Sequence, residues 1–161
     1  MRGGALPPAI LCAALGLALA AAETKFWRVG IITAVVAAVA AAWVQVPVGW
    51  TDAVFLGCWS STVLNSARVH LVGPCGRRAT VLLCVNTGIW AGAVISVAGR
   101  KADLLVALPC MVTLLPASWA VRRGGSIAVR VLSSWLLAVA ILAATLQFLP
   151  VTPGYLPDHM D

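Results

Sequence analysis

Residues 79–99 read ATVLLCVNTGIWAGAVISVAG, 21 residues without a charge. A helix over them would be about 32 Å long at 1.5 Å per residue. That spans the ~30 Å hydrocarbon core of a bilayer. Arg77-Arg78 stand just before the run and Arg100-Lys101 just after it. Working outward, five further apolar runs appear at 5–22, 29–46, 53–72, 104–121 and 131–149. Short polar or Gly/Pro steps separate them, among them Glu23-Thr24-Lys25, Pro47-Val48-Gly49, Gly73-Pro74 and Arg122-Arg123-Gly124-Gly125. The pattern predicts an all-α, polytopic integral membrane protein: a six-transmembrane-helix bundle in residues 1–149, with a Pro-rich acidic tail at 150–161. A spanning barrel would show ~10-residue alternating segments instead.

Composition agrees. Of 161 residues, 61% are hydrophobic and 10% charged, against about 45–50% and about 25% in soluble domains. Mean hydropathy is +0.99. The net charge of +6 would suggest nucleic acid in a soluble chain. Here it fits the excess of Lys and Arg in cytoplasmic loops, and no nucleic-acid partner is expected. Nine of the 11 cations are Arg, which with the Ala-Val-Leu richness suggests a GC-rich bacterial genome and hence the bacterial inner membrane. Cys12, Cys58, Cys75, Cys84 and Cys110 form no CxxC pair, so no disulfide framework or metal site is read.

The first run admits two readings. Arg2, the apolar stretch 9–19 and Ala20-Ala21-Ala22 resemble a secretory signal with a small-residue cleavage site, which would leave five spans. Charge arbitrates. With six spans and both termini outside, Lys25, Arg28, Arg68, Arg77, Arg78, Arg122, Arg123 and Arg130 lie inside, and only Arg2, Arg100 and Lys101 outside. Cleavage would turn that larger group outward, against the positive-inside rule.

Polar atoms enter the apolar runs at few places. Cys58, Ser61, Thr62, Asn65 and Ser66 recur at spacings of three and four, one face of a helix, with Trp59 and Leu64 expected on other faces. An unpartnered amide in hydrocarbon costs several kcal/mol, so this face must meet protein or a wet cavity. It is either interhelical glue or a path lining, with Arg68 at its inner end as an anion or headgroup contact. Asn86 needs a partner too, and Asn65 is one candidate. In the fourth run Thr80, Cys84, Gly88, Gly92 and Ser96 form an i, i+4 ladder with a GxxxG element, a face for close helix packing. Its partner is open: another helix of the chain, a second copy or another protein. Ala34, Ala38 and Ala42 share the spacing, but alanine is too common here for this to weigh much. Pro109 and Pro116 lie on one side of the fifth run, and each removes a helical hydrogen bond and favours a kink.

Catalytic groups are missing. Glu23, Asp52, Asp103, Asp158 and Asp161 all fall in loops or the tail, and His70 and His159 belong to no HExxH or paired-carboxylate motif. No catalytic residue, metal or cofactor is expected. Coupled pumps usually keep a carboxylate within the membrane, which this chain lacks. The expected partners are the lipid bilayer and other membrane chains or self. The sequence thus suggests a non-enzymatic membrane protein acting through helix–helix association, as a subunit, an assembly factor or a homo-oligomer. The alternative is a small transporter or channel for a neutral or anionic solute.

Overall fold

The computed structural model describes residues 5–71 and 75–148, and these are helices joined by short turns, with no strand. The helices are α1 (Leu6–Ala20), α2 (Trp27–Trp43), α3 (Thr51–Arg68), α4 (Arg77–Ala98), α5 (Asp103–Ala107), α6 (Leu114–Arg122) and α7 (Ser126–Thr145). A 3-10 stretch, Leu108–Thr113, joins α5 to α6, so the described residues form six rods. The tail at 150–161, with Asp158, His159 and Asp161, lies outside the described residues.

Four rods are long and apolar enough to cross a membrane: Thr24–Trp43, Arg77–Ala98, Asp103–Arg122 and Ser126–Thr145. The expectation of six equivalent spans is met only in part. At 15 residues, α1 is about 22 Å long, short of the ~30 Å core. In α3, Ser60, Ser61, Thr62, Asn65, Ser66 and Arg68 lower the hydropathy. The last rod also begins at Ser126 rather than 131, so Arg130 sits inside α7 and not in the preceding loop.

A helix apolar on every face is buried, and α1 behaves so. Leu11, Cys12, Ala14 and Leu15 are wholly inaccessible, and Leu17, Ala18 and Leu19 nearly so. This helix is the axis of the bundle, touching α3, α4, α5, α6 and α7. Pro7 and Pro8 open it in the first turn, where a missing N–H costs nothing. Gly16 lets the 3-10 stretch approach: a Cβ there would lie 2.9 Å from the Met111 carbonyl oxygen. Thr113 Oγ1 donates to the Ala13 carbonyl across the same contact at 3.1 Å.

The rods alternate in direction. Gly30 meets Thr80 and Cys84, and Gly92 meets Ala38 and Ala42, so α2 and α4 run parallel. Asn65 meets Thr87 while Gly57 meets Trp90, so α3 and α4 run antiparallel. An isolated bridge between Ala22 and Cys75 ties the α1–α2 and α3–α4 connections at one end. At the opposite end Lys101 Nζ sits 3.5 Å from the Trp43 ring centroid. Proline accounts for the broken fifth rod. Pro109 has no N–H for the Leu105 carbonyl and falls at the second position of the 3-10 stretch. Pro116 stands in the first turn of α6, where the gap is tolerated.

Candidate functional site

Most of the buried polar side chains lie on α3 and α4. Ser61, Thr62, Asn65 and Ser66 on α3, and Thr80 and Thr87 on α4, are all at most 3% exposed. Asn65 Nδ2 donates to Thr87 Oγ1 at 2.8 Å. Asn86 Nδ2 donates to Ser61 Oγ, and Trp90 Nε1 donates to Asn86 Oδ1 at 3.1 Å. Thr62 Oγ1 returns to the Cys58 carbonyl of its own helix at 3.0 Å. The candidate pairing of Asn86 with Asn65 is therefore replaced. Neighbouring residues on a helix point about 100° apart, so Thr87 is turned to Asn65 and Asn86 to Ser61. Thr87 was missed because it adjoins the glycine ladder in sequence, and nothing marked it as the partner of Asn65.

Trp90 closes the seam. Its six-membered ring lies where a Cβ at Gly57 would stand, so this glycine admits the indole. Leu64 points outward, whereas Trp59, expected only to lie off the polar face, is 6% exposed and fills the interior. A face carrying Cys58, Ser61, Asn65 and Ser66 is broad enough on a helix enclosed by α1, α4 and α7 to bury residue 59 as well.

Three interior oxygens among the described residues have no hydrogen-bond partner: Asn65 Oδ1, Ser66 Oγ and, on α7, Ser133 Oγ. Each unmet group costs about 1–3 kcal/mol. Arg68 is half-buried, and its Nη1 donates to the Leu71 carbonyl at 3.3 Å, closing the end of α3. His70 Nε2 lies 3.3 Å from Ser134 Oγ of α7.

The glycine ladder has its partner within the chain. A Cβ at Gly88 would lie 2.7 Å from Ala37 Cβ, and one at Gly92 would lie 2.7 Å from Ala41 Cβ and 2.8 Å from the Ala42 nitrogen. The buried residues of α2 are Gly30, Ala34, Ala38 and Ala42, the alanine spacing that carried little weight on sequence alone. Close packing of small residues holds α2 against α4 almost alone. Pro109 and Pro116 lie elsewhere: the 3-10 stretch packs on α1, which stands between it and the polar seam.

No group of three or more His, Cys, Asp or Glu side chains that could hold a metal occurs among the described residues. Comparison with protein-family models, curated proteins and solved structures finds no match in any of the three.

Proposed function

We propose that this chain is a multi-pass integral membrane protein of the bacterial inner membrane, without catalytic activity, that works by association with other membrane chains or with itself. The observation that carries this reading is the disposition of its polar atoms. The polar side chains of α3 and α4 turn inward: Asn65 pairs with Thr87 and Asn86 with Ser61, while Thr62 and Thr80 bond backbone carbonyls. The outward faces carry Ile32, Val36 and Trp43 on α2, Leu105 and Leu115 on the fifth rod, and Ile127, Trp135 and Leu142 on α7, all exposed. In water such a coat would be an aggregation liability; in a bilayer it is the required surface. The membrane also explains how a short α1 is tolerated, since the surrounding rods shield it from lipid.

Orientation follows from charge. The ends tied by the Ala22–Cys75 bridge carry Lys25, Arg28, Arg77 and Arg78. Arg122 and Arg123 join them, because the fifth rod runs parallel to α1: Val106 and Cys110 lie beside residues 5–13, and Ala117 and Ala120 beside Ala13 and Leu17. This end is assigned to the cytoplasm, so the start of α1 and the end of α7 would face outward. The ladder of Gly88 and Gly92 is occupied by α2, so association would use the outer faces.

The test is purification from the native host in mild detergent, with chemical crosslinking before extraction. A stoichiometric partner or a defined homo-oligomer supports the reading. A lone monomer whose reconstituted vesicles pass a solute replaces it with the transport alternative. One observation favours that alternative: unpartnered Asn65 Oδ1 and Ser66 Oγ would suit water or solute in the seam. Cysteine placed at 61 or 65, in a chain stripped of its native cysteines, would then react with a water-soluble maleimide. Absence of labelling at both positions excludes the path.

A further inference from the structure

Between α6 and α7 an apolar groove of about 440 Å³ reaches down to α1. Ala13 and Leu17 form its floor, Ala117 and Ala120 one wall, and Ala128 and Leu132 the other. The small residues make the hollow. Thr113 brings the one hydroxyl to its lining, and that hydroxyl is already bonded to the Ala13 carbonyl. From Ala128 to Leu136 the groove runs about 12 Å along the helix.

Its mouth is basic. The α6–α7 turn is sharp: Gly124 takes φ +82°, and the Gly125 N–H reaches back to the Ala120 carbonyl at 2.8 Å, a helix stop that favours glycine. This turn follows Arg122 and Arg123, which close α6 beyond the groove's lining. The Arg123 guanidinium carbon lies 4.2 Å from the ring centroid of Trp119, itself a lining residue. No acidic residue occurs from Leu104 to Phe148. Of the described carboxylates, Glu23 pairs with Lys25, while Asp103 and Asp52 lie at the other end of the bundle.

The geometry points to a site for one anionic phospholipid, with an acyl chain in the α6–α7 groove and its phosphate at Arg122 and Arg123. This rests on the membrane reading above. Charge complementarity selects the headgroup: basic pockets between helices on the cytoplasmic side take anionic lipids, and guanidinium groups grip phosphate oxygens in pairs.

The test uses the full chain in mild detergent, incubated with phosphatidylglycerol or phosphatidylcholine and read by native mass spectrometry. Wild type should retain one phosphatidylglycerol about tenfold or more over phosphatidylcholine, as two Arg contacts imply. R122Q/R123Q should bring the two lipids close to parity. A128F should lower retention of both by filling the groove. R77Q/R78Q removes equal charge at the same end and should leave the preference intact. The site is overturned if wild type shows no preference, if R77Q/R78Q acts as strongly as R122Q/R123Q, or if A128F changes nothing. Each variant's thermal midpoint must match wild type; one that fails is replaced by R122M/R123M or A128L and judged by the same criteria. Alkaline carbonate fractionation of the same cells keeps the two readings apart. A chain that stays in washed membranes but shows no lipid preference loses only the site, whereas a chain released in soluble form loses the membrane reading.

Discussion

Replacing both Gly88 and Gly92 by leucine should detach α2 from α4. A Cβ at either position would meet α2 backbone and an alanine Cβ at 2.7 Å, where ordinary contact needs about 3.5–4.0 Å. Backbone cannot swing aside as a side-chain tip can, so the rods must part by about 1 Å even for the first added carbon. A gap of 0.5–1 Å already forfeits about a quarter to a half of each contact's attraction, and leucine adds more bulk. Overpacking typically costs about 1–3 kcal/mol per site. Removing glycine from a helix returns up to about 1 kcal/mol each. Two sites one turn apart on the same face cost about 2–6 kcal/mol together, and should therefore lose up to about 4 kcal/mol net where the glycine term is returned in full. In lipid no hydrophobic force compensates, because packing itself holds helices together.

Cys84 supplies the assay. Its Sγ lies 3.0 Å from the Cβ that Gly30 would bear, so a Gly30→Cys substitution offers it a disulfide partner across α2 and α4. In G30C alone, mild oxidation should join the new thiol at position 30 to Cys84 within one chain, seen by intact mass and by a monomer band on a non-reducing gel. Adding G88L/G92L should abolish most of that crosslink and lower the thermal midpoint. If the crosslink persists while the leucines reduce the size of an oligomer, the ladder joins separate chains and the intrachain account is wrong.

Other consequences follow from single contacts. Gly57→Ala should destabilise the bundle by about 1–3 kcal/mol, the usual cost of overpacking. Trp90→Ala should relieve part of that loss, so a double-mutant cycle by chemical denaturation should give a favourable coupling. A cycle on Asn65→Ala and Thr87→Ala should return about 0.6–1.7 kcal/mol of coupling, the range for hydrogen bonds between membrane helices, while Asn65 with Ser61 should return almost none. Leu15→Ala, at a position with no accessible surface, should cost about 2–5 kcal/mol, whereas Leu105→Ala on the exposed coat should cost far less. In whole cells freed of the outer membrane, a membrane-impermeant thiol reagent should label cysteine placed at position 101 but not at position 77. The reverse pattern would invert the topology.

Much of the fold was legible because six apolar runs separated by short polar steps need no tertiary information. Rank within the bundle was less so. Periodicity showed that α3 has one polar face and α4 one face of small residues, and both faces meet protein. It did not tell which helix lay opposite, because alanine and glycine ladders are equally spaced on α2 and α4. The pairing of Asn65 with Thr87, and of Asn86 with Ser61, depends on how two antiparallel rods are turned toward each other, which spacing within one helix does not fix.

The central place of α1 has a physical cause that its sequence contains in disguise. Read alone, a 15-residue apolar helix between small residues resembles a signal segment. In a bundle the same features suit the axis: it has no charge to solvate, no face to prefer, and many alanines and a glycine to admit the neighbouring helical segments. A peripheral position would ask such a helix to match the bilayer's thickness, which its length does not allow. The longer rods carry that requirement, and with it the large exposed side chains. α3 takes the opposite route to the interior. It is too polar for lipid, and its Asn and Ser atoms are sheltered by α4 and α7 just as the brevity of α1 is sheltered by the whole ring. The two helices least suited to face lipid thus each have partners on several sides, which is the arrangement the membrane reading calls for.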